Sequence, residues 1–198
     1  MNDEKFVRLD LLDTQLIEKT ARLLVDSFFS MFKGISKDPE ILCRLFLPCL
    51  QLDSTYVLLK ENQVAGFIAV SDSRKRAIII REDVCISIFG PVKGKMIAWQ
   101  LHKILSVPAV TGTQSGYIDF IATAPEFRRQ RVAERLLIFV ESHCDFTELF
   151  LDVLIDNQPA VRLYEKLGYR VVCKKKSFLM RLAGVKTMVV MKKGLMVG

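Results

Sequence analysis

The sequence predicts a single α/β domain over residues 1–198, built on a mixed sheet, and three observations carry that expectation. From Gly116 to Val172 the chain reads strand, basic loop, helix, strand, helix, strand. Upstream, two short apolar runs, Tyr56 to Leu59 and Val64 to Val70, face each other across Glu61-Asn62 as a hairpin. The third is composition: 198 residues with 51% apolar content suffice for one buried core and are too apolar for a disordered chain.

The stretch 116–172 organises the rest. Tyr117 to Thr123 is an apolar strand broken by Asp119, which by alternation shares a face with Tyr117 and Ile121. Val132, Leu136 and Val140, with Ala133 and Leu137 beside them, form one apolar helical stripe. Leu149 to Ile155 is a second strand. Ala160, Leu163, Tyr164 and Leu167 form a second stripe, opened by Pro159 and closed by Gly168. A strand, helix and strand at this spacing run parallel through a right-handed crossover. The loop 125–131 then lies at the carboxyl end of the first strand and opens the helix, where free N–H groups and the helix dipole favour an anion. Arg128, Arg129 and Arg131 stand in that loop, so a phosphate-bearing ligand is expected.

Earlier in the chain, Phe6 to Leu9 reads as a first strand. Asp13 or Thr14 caps a helix with Leu16, Thr20, Leu23, Leu24, Ser27, Phe28 and Met31 on its apolar face. Phe28, Phe29, Met31 and Phe32 crowd its end before Gly34 and read as core packing. Asp38-Pro39 starts a helix to about Leu50. Gly66 inside the hairpin marks a bulge. Ala77 to Ser106 fits two helices, Ile80 to Phe89 and Lys93 to Leu105, parted by Gly90-Pro91; Ala77 to Ile80 alternatively extends the sheet. After Val172, Lys174 to Leu182 and Lys186 to Met191 read as closing antiparallel strands around Ala183-Gly184.

Composition excludes several classes. No apolar run approaches a bilayer span, and the amino-terminal stretch lacks the apolar segment of a secretory signal. The five cysteines have no C-x-x-C spacing and read as reduced core thiols; the expected location is the cytoplasm, with no membrane partner. Two histidines and scattered cysteines give no metal-ligand spacing, so no metal is expected. Gly90 to Met96 lacks the spacing and the Ser/Thr of a phosphate-binding P-loop, and Gly112 to Gly116 lacks that of a hydrolase elbow. Net charge is +7, and residues 170–198 hold eight Lys or Arg and no acid. With Phe178 as the only aromatic interleaved there, we read a solvated edge rather than a nucleic-acid site.

The residues of the loop and of the second helix resemble those of the GNAT superfamily of N-acetyltransferases. The family's loop signature is Arg/Gln-x-x-Gly-x-Gly/Ala; here it reads Arg128-Arg129-Gln130-Arg131-Val132-Ala133, with Arg131 where the family has glycine. Asn157, Ala160, Leu163, Tyr164, Gly168 and Tyr169 match the second signature. The resemblance implies a mixed, mostly antiparallel central sheet with a parallel strand pair at the cofactor cleft and helices on both faces. It implies acetyl-CoA as co-substrate and an amine acceptor, either a small molecule or a protein, attacked directly in a ternary complex.

The resemblance assigns the coenzyme A pyrophosphate to backbone N–H groups of Gln130 to Ala133 (Gln130, Arg131, Val132, Ala133), with Arg128, Arg129 and Arg131 adding charge-assisted bonds. It assigns the pantetheine arm and the carbonyl to main-chain groups of Ile121, Ala122 and Thr123. Asn157, a helix cap on its own terms, also stands near the cofactor arm in the family. Tyr164 stands where many members place the general acid for the departing thiol; its spacing also fits a core aromatic. Asp119, the only ionisable side chain within the central strand, is the candidate base, with Glu82 or Glu126 as alternatives. The family's acceptor site borders the Phe28 to Phe32 region, so Phe29 or Phe32 alternatively walls an acceptor pocket. Two other functions stay open: a non-catalytic acyl-CoA-binding module, and a nucleic-acid-associated protein using the basic carboxyl-terminal stretch.

Overall fold

The computed structural model describes residues 4–175 and 187–195. β1 (Glu4–Arg8) leads into α1 (Thr14–Ser27), whose first turn is closed by Asp13 accepting from Leu16 N at 2.9 Å. A short α2 (Phe29–Phe32) precedes α3 (Pro39–Phe46). Asp38 caps α3 through Glu40 N, and Pro39 sits in the first turn, where its missing N–H breaks no helical bond. β2 (Thr55–Lys60) and β3 (Gln63–Ser71) form the expected hairpin. Glu61 and Asn62 both take positive φ, 50° and 59°, as a tight reversal of matching twist requires.

The expected helix pair is α4 (Glu82–Phe89) and α5 (Pro91–Leu101), parted at Gly90 with φ 83°; α5 runs on as a π-helical turn, His102–Ser106. Ala77 and Ile78 do touch a neighbouring segment, through Gln51 N to Ala77 O and a bridge to Leu50, without forming a strand. Then come β4 (Ser115–Thr123), α6 (Val132–His143), β5 (Glu148–Leu154), α7 (Gln158–Lys166), β6 (Arg170–Lys175) and β7 (Met188–Gly194).

The seven strands form one sheet in the order β1-β2-β3-β4-β5-β7-β6. Among the described residues only β4 and β5 run parallel; every other pair is antiparallel. The sequence had ended one strand at Val172 and begun another at Lys174. These are a single strand, β6, paired along β7; the remainder of Lys174 to Leu182 and the turn at Ala183-Gly184 lie outside the described residues. Two basic residues of this end are paired: Lys192 with Glu148 and Lys193 with Glu141.

The sheet divides two apolar cores. On one face α1, α3, α4 and α5 pack on Val57, Leu59, Phe67, Ala69 and Phe120. On the other, α6 and Tyr164 of α7 pack on Leu58, Ile68, Ile118, Leu149, Leu151 and Met191. Helices therefore cover both faces, as the family resemblance implied. The first layer stops short of β5, whose Phe150, Asp152 and Leu154 stay half-buried while Leu149, Leu151 and Val153 are buried opposite. Of the five cysteines, all unpaired, Cys49 and Cys85 lie in the core, Cys43 and Cys144 are half-buried and Cys173 is exposed, so the reading of all five as core thiols holds for two. Among the described residues, no helix is long and apolar enough to cross a membrane.

The bulge expected near Gly66 falls beside it. Leu58 pairs with Gly66 and Leu59 with Val64, which makes Ala65 the extra residue; its carbonyl accepts from Ala124 N at 2.9 Å. Gly66 itself allows α6 to lie against the sheet. A Cβ there would stand 2.6 Å from both Ala122 O and Val132 Cγ1. Gly66→Ala therefore drives α6 off the sheet at the end that carries the arginine loop, and we expect a loss of about 1–3 kcal/mol in urea unfolding. A variant as stable as the parent would show that this approach is not tight.

Candidate active site

β4 and β5 pair only from Ser115 with Glu148 to Ile118 with Leu151. Beyond that both strands continue, β4 to Thr123 and β5 to Leu154, each held on its outer side by β3 or β7. A gap therefore opens between two parallel strands in the middle of the sheet. Ile121, Ala122 and Thr123 line it, bonded to β3 on one edge and presenting the other edge to the gap.

The divergence begins at a second bulge. Ala69 pairs with Phe120 and Val70 with Ile118, so Asp119 is the extra residue. This corrects the alternation read from sequence. Ile118 and Ile121 pack into the core around α6, whereas Phe120 and Ala122 face the opposite one, so Asp119 and Ile121 no longer share a face. Asp119 is buried, its side chain 1% exposed, and its carboxylate is fully engaged. Oδ1 accepts from Arg76 Nε at 2.8 Å and from Arg76 Nη2; Oδ2 accepts from Ala77 N at 3.0 Å and from the Ser71 hydroxyl. Arg76 also donates to Val107 O at 2.7 Å and lies over the Tyr117 ring. Burial first, then the nearby Asp152 and Asp119 carboxylates, push the Tyr117 phenol far above its ordinary pKa.

At the carboxyl end of β4 a short turn, Pro125–Phe127, delivers the chain to α6. The first-turn amides of α6 have no intrahelical partner, and among the described residues no side chain caps them. Arg129 and Arg131 take left-handed backbone conformations, φ 60° and 58°. Arg131 thus adopts the conformation that glycine would supply at that point, with its side chain outward, 77% exposed and 4.0 Å from Glu134. Gln130 is turned aside: its Oε1 accepts from Lys60 Nζ at 2.7 Å and its Nε2 donates to Glu126 O. Glu4 binds Lys60 and Arg135, and those bonds, Arg135 foremost, hold its carboxyl down at about 2. Among the described residues, Arg128 and Arg129 have no acidic partner within ion-pair distance, so the loop keeps net positive charge.

On the far side of the gap, Asn157 caps α7, accepting from Ala160 N at 3.4 Å. Tyr164 is buried edge-on to Tyr169, ring centroids 5.9 Å apart, and burial pushes its phenol up to about 12. Phe28 and Phe32 both lean on Phe120, at 5.0 and 6.3 Å, while Phe29 is half-buried against the same core. Glu82 and Glu126 are exposed. Among the described residues, no group of three or more His, Cys, Asp or Glu is placed to hold a metal ion. The sequence reading missed Arg76, Ser71, Lys60 and Asp152. Arg76 lies far from Asp119 in sequence, and the one available signal was that a carboxylate inside an apolar strand requires a partner.

Two substitutions test these contacts by denaturant unfolding. Arg76→Met leaves Asp119 buried and unpaired, and about 3–5 kcal/mol of stability should be lost, with partial recovery when Asp119→Asn is added. Arg131→Gly relieves the left-handed strain, and a gain of up to about 1 kcal/mol is expected against none for Arg131→Ala. Equal effects of the two Arg131 variants would place the strain elsewhere.

The chain matches the acetyltransferase (GNAT) family over residues 19–169. Among curated relatives it is 29% identical over 118 residues to an N-alpha-acetyltransferase of Saccharolobus solfataricus, covering 58% of this chain and 61% of that protein. It is 32% identical over 88 residues to the N-terminal acetyltransferase B complex catalytic subunit NAA20 of Arabidopsis thaliana, covering 41% of each. In both cases the match spans less than two thirds of the relative's length. Among solved structures, an N-acetyltransferase from Staphylococcus aureus Mu50 superposes with a TM-score of 0.61 at 17% identity, over 96% of this chain and 100% of that one, which shows a shared fold. With a family match over most of its length, two parallel strands parting before an uncapped basic helix start, and the same fold as a solved N-acetyltransferase, the chain belongs to the acetyltransferase (GNAT) family.

Proposed function

We propose that the protein is an N-acetyltransferase that moves the acetyl group of acetyl-CoA to an α-amine by direct attack in a ternary complex. The observation that carries this reading is the gap between β4 and β5, open along one edge of Ile121 to Thr123 and ending at the positive, uncapped start of α6. Such a slot suits an extended, amide-bearing chain with an anionic end. Acetyl-CoA supplies the activated thioester. The amides of Gln130 to Ala133 and the guanidinium groups of Arg128 and Arg129 would hold its pyrophosphate. Main-chain groups of Ile121, Ala122 and Thr123 would take the place of the missing strand bonds, aligning the arm and polarising the carbonyl. Because Arg131 takes the backbone conformation of a glycine, its presence leaves the amide positions intact, which favours a working site over a non-catalytic acyl-CoA module.

Tyr164 keeps its proton throughout the physiological range, since burial raises its pKa, and is assigned to protonating the departing thiolate. Asn157 is assigned to the cofactor arm in addition to its cap. Asp119 is assigned to holding the bulge rather than to taking the amine's proton, because all its acceptor capacity is in use. An α-amine needs little help from a base. With a pKa near 8, roughly a tenth of it is neutral at pH 7, against well under about one part in a thousand for an alkylamine with pKa near 10.4. The two N-alpha- and N-terminal acetyltransferase relatives support the same acceptor class.

Calorimetric titration with acetyl-CoA, followed by thiol release in the presence of peptide amines, tests the assignment. Saturable binding and turnover are expected; absence of both would overturn it. Tyr164→Phe should lower kcat about 100-fold while the KM for acetyl-CoA stays within about two-fold. Undiminished kcat would remove Tyr164 from the chemistry.

A further inference from the structure

The excursion between β3 and β4 carries a feature outside the site described above. Gly94 draws α5 onto α4, since a Cβ there would stand 2.6 Å from Cys85 O. The inner side of α5 is buried through Ile97, Ala98 and Leu101. Its outer side leaves Val92 85%, Met96 54%, Trp99 61% and Ile104 66% exposed, a density of solvent-facing apolar side chains that marks a contact surface. Between this side and the turn Met31–Ile35 lies a groove of about 310 Å³, walled by Met31, Ile35, Met96, Leu101 and Ile104, with Phe32 inside it. The Phe32 ring leans on that of Phe120, on the stretch of β4 that has already parted from β5. The Phe32–Phe120 contact therefore links the groove to the parted stretch of β4.

Among the described residues, Lys93 is the one charged residue in the groove's lining. No acidic residue occurs between Asp83 and Asp119. Lys95 and Lys103 stand on the same segment, Lys103 over the Trp99 ring at 3.8 Å. A polyamine or aminoglycoside would be repelled there. An apolar group followed by an acidic one would be attracted. Nearby cations also disfavour protonation of an amine, keeping more of it in the nucleophilic form.

We propose that this groove seats the leading apolar side chains of a peptide whose N-terminal α-amine is the acetyl acceptor, with acidic residues further along the peptide meeting the lysines. This rests on the N-acetyltransferase reading above. In the transfer, the N–C bond forms and the thioester C–S bond breaks, the amine gives one proton to water and the departing sulfur takes one from Tyr164, which is reprotonated from solvent. The volume suits one or two aliphatic side chains, at the low end of small-ligand sites.

Trp99, the only tryptophan in the chain, stands outside the groove lining but carries Lys103 over its ring, so its emission reports, independently of turnover, on a seated peptide whose acidic residues reach that lysine. The full chain with acetyl-CoA is titrated with a peptide beginning Met-Leu-Asp, one beginning Lys-Lys-Ser, and spermidine. The first should shift Trp99 emission saturably to shorter wavelength and give kcat/KM at least ten-fold above the other two. Met96→Asp and Ile104→Asp, both at exposed positions, should raise the KM for that peptide about ten-fold, with thermal melts recorded alongside to verify folding. Equal kcat/KM for the two peptides, or no effect of either variant, overturns the groove and leaves the acetyltransferase reading standing; a preference for spermidine overturns the groove together with the α-amine acceptor. A Trp99 shift with the Met-Leu-Asp peptide but no acetyl transfer to any amine overturns the acceptor role together with that reading, while peptide binding remains. A shift with anionic phosphatidylglycerol vesicles and with no peptide overturns the proposal in favour of a lipid surface.

Discussion

Beyond Ile118, β4 keeps one neighbour where a central strand has two, and the rest of the molecule is arranged around that fact. Backbone donors and acceptors in a sheet's interior must be satisfied, and each one left without a partner costs about 1–3 kcal/mol. A run from Asp119 to Thr123 with one bare edge would close onto β5 if nothing opposed it. The opposition is local. A bulge turns the strand at Asp119, and the ion pair with Arg76, anchored through Val107 O and Ala77 N, fixes the turn. Breaking a buried pair of this kind is expensive because the remaining charge has nowhere to go. The gap is therefore a stable property of the folded chain, available to water or to a ligand that bonds as a strand does.

Much of this was legible in the residues. Asp13, Asp38-Pro39, Asn157 and Gly168 announce helix ends because their chemistry acts on the adjacent backbone, and each does so in the structure. The parallel pair followed from the length of the crossover, and the basic loop from its place between strand and helix. What was not legible depended on distant partners. Alternation along β4 fails at Asp119 because a bulge is set by pairing with β3, and a period-two reading has no term for an extra residue. Arg76 sits in a polar run, Ser71 to Arg76, that reads as a surface turn; only the fold reveals that its guanidinium is buried against Asp119. The basic carboxyl end misled in a smaller way, since Lys192 and Lys193 serve as partners for Glu148 and Glu141.

The arginine loop shows how local strain and distant support combine. Two residues there take left-handed conformations, each unfavourable by about 1–2 kcal/mol for a side chain with a Cβ. They persist because the surroundings leave little choice. Gly66 lets α6 settle on the sheet, and Lys60 ties Gln130 to Glu4 at the carboxyl end of β2. Glu4 also neutralises Arg135, so charge is withdrawn from the flank of the loop while Arg128 and Arg129 keep theirs.

The sheet also separates two kinds of evolutionary freedom. The loop, α6 and Tyr164 lie on one side; α4 and α5 lie on the other, in a single excursion that leaves β3 and returns to β4, strands that pair with one another whatever joins them. Residues 81–105, which leave out the Arg76, Ala77 and Val107 anchors of the Asp119 bulge, can therefore lengthen, shorten or change composition across descendants without disturbing the strand register or the opposite core. Divergence in the surface that α4 and α5 present would then accumulate in this one segment, while the half that carries the arginine loop stays under the constraints of Gly66 and the parted strands.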